Sequence, residues 1–117
     1  MRETEQYFPE VYQRIRERFP ELMERLDALG DAADSAGPLD DRARRLVKLG
    51  IAVGGVAEGA VRSNARRALE AGASPEEVLH VAALAVSTRG FPAAVAAFSW
   101  IEEVLTARDG PGSDTSS

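Results

Sequence analysis

The sequence has 117 residues, of which 44% are hydrophobic and 28% charged, and its formal net charge at pH 7 is −5. This length fits one compact domain, and the composition is that of an ordinary folded protein. The negative charge disfavours general binding to nucleic acid or to anionic lipid, since both need a basic surface. The chain contains no cysteine, which excludes disulfides, thiolate metal sites and thiol nucleophiles.

The N-terminal segment MRETEQYF is charged and lacks an apolar core, so it does not resemble a secretory signal. The uncharged run at residues 49–57 is far shorter than the roughly 20 residues that a membrane-spanning helix needs. We therefore expect a cytoplasmic protein with no membrane partner.

Three-and-four spacing of apolar residues predicts an amphipathic helix over about residues 9–29. Pro20 interrupts this pattern, which indicates either one kinked helix or two helices that meet at Phe19 and Pro20. Gly30 ends the pattern, and the segment DAADSAGP at residues 31–38 has the composition of a loop.

The next helix begins at Asp40, a good N-cap residue, and runs to about Val53. The adjacent Gly54 and Gly55 predict a break before a further helix over about residues 57–71. Two glycine pairs with a spacing of four residues indicate close helix packing: Gly50 with Gly54, and Gly55 with Gly59.

The strongest local signal is the segment GASPEE, residues 72–77. Gly72 suits the end of one helix, while Ser74 and Glu77 form the capping box of the next. That next helix, from Pro75 to about Arg89, is apolar almost all round, so we expect burial on more than one side.

The segment GFP at residues 90–92 again places a helix-ending glycine before a helix-starting proline. It predicts a final helix from Pro92 to Arg108. The elements together predict an all-α fold of five to six helices, with one domain over residues 1–108 and a flexible tail over residues 109–117. Two nearly all-apolar segments carry more hydrophobic surface than one copy covers, so we expect a homo-oligomer.

Three segments, ARRALEAG, ASPEEV and RGFPAAVAAF, occur in this order between residues 65 and 98. The chain thereby resembles the carboxymuconolactone decarboxylase family, which includes the alkylhydroperoxidase D-like proteins, over about residues 39–105. The resemblance implies an orthogonal bundle of intertwined helices that usually assembles as a trimer or hexamer. It does not by itself assign a reaction.

Peroxidase members of this family carry Cys-x-x-Cys, then His after three further residues, with a Glu on the preceding helix. The corresponding positions here are Ala57, Ala60, Asn64 and Arg45. Without sulfur there is no nucleophile to reduce a peroxide, so we expect no cysteine peroxidase activity. Decarboxylase members usually keep the histidine, and asparagine cannot exchange a proton near neutral pH.

Glu58 is one candidate for a catalytic residue in a reaction that needs no cysteine. A helical wheel places it beside Leu69 on an apolar arc, and Arg62 lies one turn further on. This pair is either a structural ion pair or an acid with an anion-binding partner. Asn64, near the same edge, could hold a ligand or a neighbouring backbone group.

His80, the only histidine, belongs to the side-chain type that exchanges protons near neutral pH. It is either a hydrogen-bonded core residue or part of a site. One histidine, no cysteine and no carboxylate cluster of suitable spacing lead us to expect no metal and no cofactor.

Two functional interpretations remain. In the first, the chain is a cofactor-independent, decarboxylase- or lyase-like protein that binds a small carboxylated or lactone compound at a subunit interface. Glu58 and His80 are its catalytic candidates, and Arg62 and Asn64 its substrate-binding candidates. In the second, the site has decayed and the chain is a non-catalytic oligomeric or partner-binding module. Full exposure of Glu58 would argue against the first interpretation.

Overall fold

The computed structural model describes the backbone of residues 9–116 and the side chains of residues 10–108. Over the described residues the chain forms six helices and no strand, which confirms the predicted all-α fold. The helices are α1, Pro9–Arg18; α2, Pro20–Ser35; α3, Asp41–Gly54; α4, Glu58–Glu70; α5, Pro75–Thr88; and α6, Phe91–Ser116.

The first two helices meet in a bend at Phe19, whose backbone angles (φ −132°, ψ 63°) are not helical. Pro20 follows as the first residue of α2, where a missing N–H is tolerated. Arg16 reaches across the bend, with Nη2 3.1 Å from Asp27 Oδ1, and its guanidinium lies over the ring of Tyr12. Of the two alternatives for this segment, the structure therefore contains two helices.

The second helix continues through Gly30 to Ser35, so the loop predicted to begin at residue 31 is wrong for residues 31–35. Asp34, in the last turn, accepts hydrogen bonds from Arg45 Nη2 at 3.1 Å and Lys48 Nζ at 2.5 Å. These contacts hold the end of α2 against α3 and offset the weak helix propensity of glycine.

The third helix begins and ends where the sequence predicts. Asp40 Oδ1 accepts a hydrogen bond from the backbone N–H of Ala43 at 2.8 Å, and the helix ends at Gly54. The turn that follows contains Val56, whose φ of 50° is in the left-handed region. A β-branched residue rarely adopts this conformation, so the turn is strained.

We expect Val56→Gly to raise the free energy of unfolding by about 1 kcal/mol, because glycine avoids most of the ~1–2 kcal/mol that an L-residue incurs there. Val56 is already exposed, so little apolar contact is lost. Urea denaturation measures the change. Ala28→Gly, at an exposed helical position of α2, is the control and should lose about 1 kcal/mol. Equal losses in both variants would show that the turn is not strained.

The junction between α4 and α5 is a complete capping box. Ser74 Oγ accepts from the Glu77 N–H at 3.1 Å, and Glu77 Oε1 accepts from the Ser74 N–H at 2.9 Å. Gly72 and Gly90, which follow α4 and α5, have φ values of 103° and 121°. The helix boundaries predicted from the segments GASPEE and GFP are therefore confirmed.

The core lies among α3, α4, α5 and α6. Its largest fully buried side chains are Leu49, Val53, Val61, Val78, Ile101 and Val104. The prediction that α5 is buried on more than one side is wrong for this chain by itself, since Leu84 and Val86 are about half exposed. Residues 84 and 86 are about 200° apart around the helix, so the other helices leave α5 open on two sides.

The backbone of α6 continues past Arg108, its predicted end, to Ser116. Side chains beyond Arg108 lie outside the described ones, so the flexibility of residues 109–117 stays a prediction. Among the described residues, no helix combines the length and the apolar character that crossing a membrane requires.

Candidate functional site

Glu58 opens α4 but does not share its buried face. Val61, Ala65 and Leu69 are buried, as the helical wheel predicts. The side chain of Glu58 is 52% exposed, so its predicted place on the buried arc is wrong. A helical wheel gives the position of a residue around the helix axis but not along it. None of residues 57–60 is buried, and the core covers α4 only from Val61 onward.

The Glu58 carboxylate pairs with Arg62, as its spacing predicts. Arg62 Nη2 is 3.0 Å from Glu58 Oε2 and also 2.5 Å from Oε1 of Glu103, on α6. One cation between two anions leaves a net negative charge, which does not favour an anionic ligand. The geometry thus favours the structural interpretation of the pair, and catalysis by Glu58 and ligand binding by Arg62 stay predictions.

Asn64 makes a local contact. Its Nδ2 donates to the backbone carbonyl of Ala60 at 2.9 Å, which is the backbone alternative that the sequence leaves open. This hydrogen bond occupies one of the two N–H groups of the side-chain amide. Ligand binding by Asn64 stays a prediction.

A groove of about 450 Å³ runs between α3 and α5. Its apolar walls are formed by Leu46, Val47, Val53, Val81, Leu84 and Ala85, together with Gly50 and Gly54. Its polar lining residues are Glu77, His80, Thr88 and Arg89. Mostly apolar clefts of this size with a few polar groups are typical of small-molecule sites.

Glycines make room for this groove. A Cβ added at Gly54 would meet nothing within 4 Å, and one at Gly50 would make only an ordinary contact with Val81 Cγ1 at 3.7 Å. The close helix packing predicted from these glycines is therefore wrong for this chain by itself. Their missing side chains leave open space along α3.

His80 is exposed and lines the groove, so its interpretation as a core histidine is wrong. Val78 and Ala82 mark the buried side of α5, and a position two residues after Val78 is turned about 200° away from that side. The structure does not bring the four predicted site residues together: the groove contains His80 but not Glu58, Arg62 or Asn64. A catalytic role for His80 stays a prediction.

The two charged side chains in the groove have different partners. Glu77 accepts from Ser74 in the capping box and pairs with Arg42 on α3. Arg89 Nε donates to the carbonyl of Gly54 at 3.0 Å, which joins the ends of α3 and α5. Within the described part of the chain, no group of three or more His, Asp or Glu side chains is placed to hold a metal ion.

The sequence model of the carboxymuconolactone decarboxylase family matches residues 20–103, well over half of the chain. The chain belongs to this family. The resemblance carried by residues 65–98 is thereby confirmed.

Two relatives support the assignment of the chain to the carboxymuconolactone decarboxylase family. An uncharacterised protein of Methanocaldococcus jannaschii is 26% identical over 102 residues, which are 86% of this chain and 98% of that protein. The crystal structure of the apo form of a carboxymuconolactone decarboxylase family protein from Legionella pneumophila superposes with a TM-score of 0.74 at 25% identity. That match covers 88% of this chain and 95% of the Legionella chain.

Of the four positions at which peroxidase members of the family carry their reactive residues, three lie at the N-cap or in the first half of α4 and one lies on α3. Ala57 is the N-cap residue and makes no side-chain capping bond, while Asn64 is bonded to Ala60. Arg45, at the glutamate position, pairs with Asp34 at 3.1 Å and Asp41 at 3.6 Å. Each position thus holds an apolar residue or one engaged by its own fold.

Two features of the site were missed by sequence reasoning. Glu103, the second partner of Arg62, is 41 residues away in the chain, and Arg89 contacts a carbonyl 35 residues away. No local sequence pattern predicts either contact. The glycines of α3 were a usable signal for the groove, but their spacing is equally typical of close packing.

Proposed function

We propose that this chain is a cytoplasmic, homo-oligomeric member of the family that binds a small carboxylated or lactone compound without thiol peroxidase activity. The observation that carries the proposal is the groove between α3 and α5. It combines a volume of about 450 Å³ and apolar walls with His80 and Arg89 at one site. This combination suits a small ring compound with one polar end.

The absence of cysteine supports the proposed lack of thiol peroxidase activity. Peroxide reduction by this family needs a thiolate, and Ala57 and Ala60 occupy the two positions concerned. If the chain is an enzyme, its reaction is cofactor-independent and decarboxylase- or lyase-like. His80 would then be the group that exchanges a proton, since histidine is the side-chain type suited to that at neutral pH.

Exposed apolar side chains support a subunit interface beside the groove. Val47, Ile51 and Leu84 are each at least half exposed, and Val47 and Leu84 also line the groove. Further exposed apolar side chains follow α1 and α2: Val11, Ile15, Phe19, Leu22, Leu26 and Leu29. The α1 and α2 side chains recur at three- and four-residue spacing, so they lie along one side of each helix. Monomeric proteins rarely leave large apolar patches open, so we propose that further copies of the chain cover these side chains in a trimer or hexamer.

The test is a thermal-shift panel of small lactones and carboxylic acids against the wild type and Gly54→Phe. A ligand at about 100 times its Kd should stabilise the wild type by about 2.7 kcal/mol. Phenylalanine at residue 54 fills the open space of the groove, so this variant should lose most of the shift. Gly54→Ala, which adds one methyl group, is the matched control, and light scattering checks that all variants assemble alike.

Glu58→Gln separates the two candidate sites. We expect it to keep the shift, because Glu58 does not line the groove. A shift that disappears in Glu58→Gln and survives in Gly54→Phe would place the ligand at the start of α4 instead. Hydrogen peroxide consumption, measured alongside, should stay at the level of a buffer blank.

A second candidate function is a non-catalytic oligomeric or partner-binding module. The cluster of Glu58, Arg62 and Glu103 favours it, because each of these three side chains already has an ion-pair partner within one chain. Flat thermal profiles for the whole panel, with the assembly intact, would select this candidate.

A further inference from the structure

Arg89 occupies a fixed position at one end of the groove. It caps the C-terminus of α5, where its own N–H donates to the Ala85 carbonyl. Its side-chain Nε donates to the Gly54 carbonyl at 3.0 Å. This second bond restricts the rotation of an exposed side chain, so the guanidinium is held beside the Gly54 carbonyl before any ligand arrives.

Arg89 carries the one charge of the groove that no described side chain pairs with. Among the described residues that line it, Arg89 is the sole permanent cation and Glu77 the sole carboxylate. Glu77 is already bound by the Ser74 N–H and by Arg42, and these contacts hold the pKa of Glu77 below its ordinary value. The Arg89 Nη1 and Nη2 groups, by contrast, have no hydrogen bond or ion pair to any described residue.

We infer that Arg89 is the anion-binding residue of the groove and that the ligand is therefore a carboxylate with an apolar ring or chain, not a neutral lactone. This inference rests on the proposed function and narrows its ligand class. The two Nη groups, which no described residue engages, match the two oxygens of a carboxylate. Val53, Val81 and Leu84 offer apolar contact to the remainder of the ligand.

A purely structural role for Arg89 would leave a different signature. Capping the Gly54 carbonyl helps hold α3 against α5, so its loss would change the shape of the groove for every ligand alike. An anion-binding role affects only ligands that carry a charge. A matched acid and ester separate the two roles, because the ester keeps the ring and loses the charge.

The probes are benzoate and methyl benzoate, titrated into the ¹⁵N-labelled full chain and followed by NMR at the backbone amides of Gly54 and Gly90 and at the Arg89 side-chain N–H. We expect benzoate to bind the wild type at least tenfold more tightly than methyl benzoate. Arg89→Gln should weaken benzoate far more than methyl benzoate, so that the two probes then bind alike. Arg89→Lys should keep a preference for the acid.

Arg25→Gln, which removes the same charge from an exposed site on α2, is the control and should bind both probes like the wild type. Equal affinity of acid and ester in the wild type overturns the inference and leaves the proposed function standing. Equal weakening of both probes in Arg89→Gln also overturns it and marks a structural role. No response to either probe, together with a flat thermal panel, overturns the inference and the proposed function together.

Discussion

Replacing Leu49 with alanine is expected to lower the free energy of unfolding by about 2–5 kcal/mol, the usual range for a large buried aliphatic side chain. Leu49 lies on the inner side of α3 and has no exposed surface. Its neighbours are held by four packed helices and cannot collapse fully into the space left behind. A loss of this size is a large share of the roughly 5–15 kcal/mol that stabilises an ordinary domain.

Urea denaturation followed by circular dichroism measures the Leu49→Ala effect. Val95→Ala is the control, because Val95 is a β-branched residue of α6 that is 48% exposed. It should change the stability by no more than about 0.5 kcal/mol. A loss for Leu49→Ala that is no larger than the loss for Val95→Ala would mean that α3 presents a different side to the core.

The second large effect concerns Asp34, which ties α2 to α3 through Arg45 and Lys48. We expect Asp34→Asn to cost about 1–2 kcal/mol, since it weakens two hydrogen bonds between charged groups. Arg45 keeps a contact with Asp41, which limits the loss. Hydrogen exchange in residues 20–35 should increase more than in α4 or α5, because the change acts on the attachment of α2.

Glu21→Gln is the control for Asp34→Asn. Glu21 pairs with Arg25 at 3.0 Å on the same helix, but about three quarters of each side chain is exposed. Exposed pairs of this kind contribute about 0.5 kcal/mol or less. A cost for Asp34→Asn that is no larger than this would show that the ion pairs do not hold α2 in place.

The Asp34 contribution depends on pH in a defined direction. The Lys48 hydrogen bond and the charge of Arg45 hold the pKa of Asp34 below its ordinary value. Because the folded-state pKa is lowered, the stabilisation is present above the unfolded-state pKa of about 4 and is lost as the pH falls through the folded-state pKa. The difference between wild type and Asp34→Asn should therefore be constant from about pH 5 to pH 7 and shrink below about pH 4.

Local chemistry explains which parts of this fold were predictable. Ser74 and Glu77 bond to each other's backbone, and Asp40 bonds to a backbone N–H three residues away. Such signals involve only neighbouring residues, so they can be read from the sequence. The helix end predicted at Gly30 is wrong because the helix that passes through it is held by Arg45 and Lys48, which belong to another helix.

The candidate site was less predictable for a related reason. A helical wheel gives the angular position of Glu58 and His80, but not whether another helix lies opposite. Glu58 falls beyond the end of the core, and His80 faces the gap between α3 and α5. Both outcomes depend on where separate helices cross, which a single helix does not encode.

The start of α4 also bears on how a family can keep its fold while its chemistry changes. Ala57 and Ala60 are exposed, and neither belongs to the buried core that Leu49 and Val61 share. Substitutions at such positions have little effect on stability. Reactive residues can therefore be lost in evolution without selection against an unstable protein. For the same reason, cysteines could be introduced at residues 57 and 60 by engineering with little loss of stability.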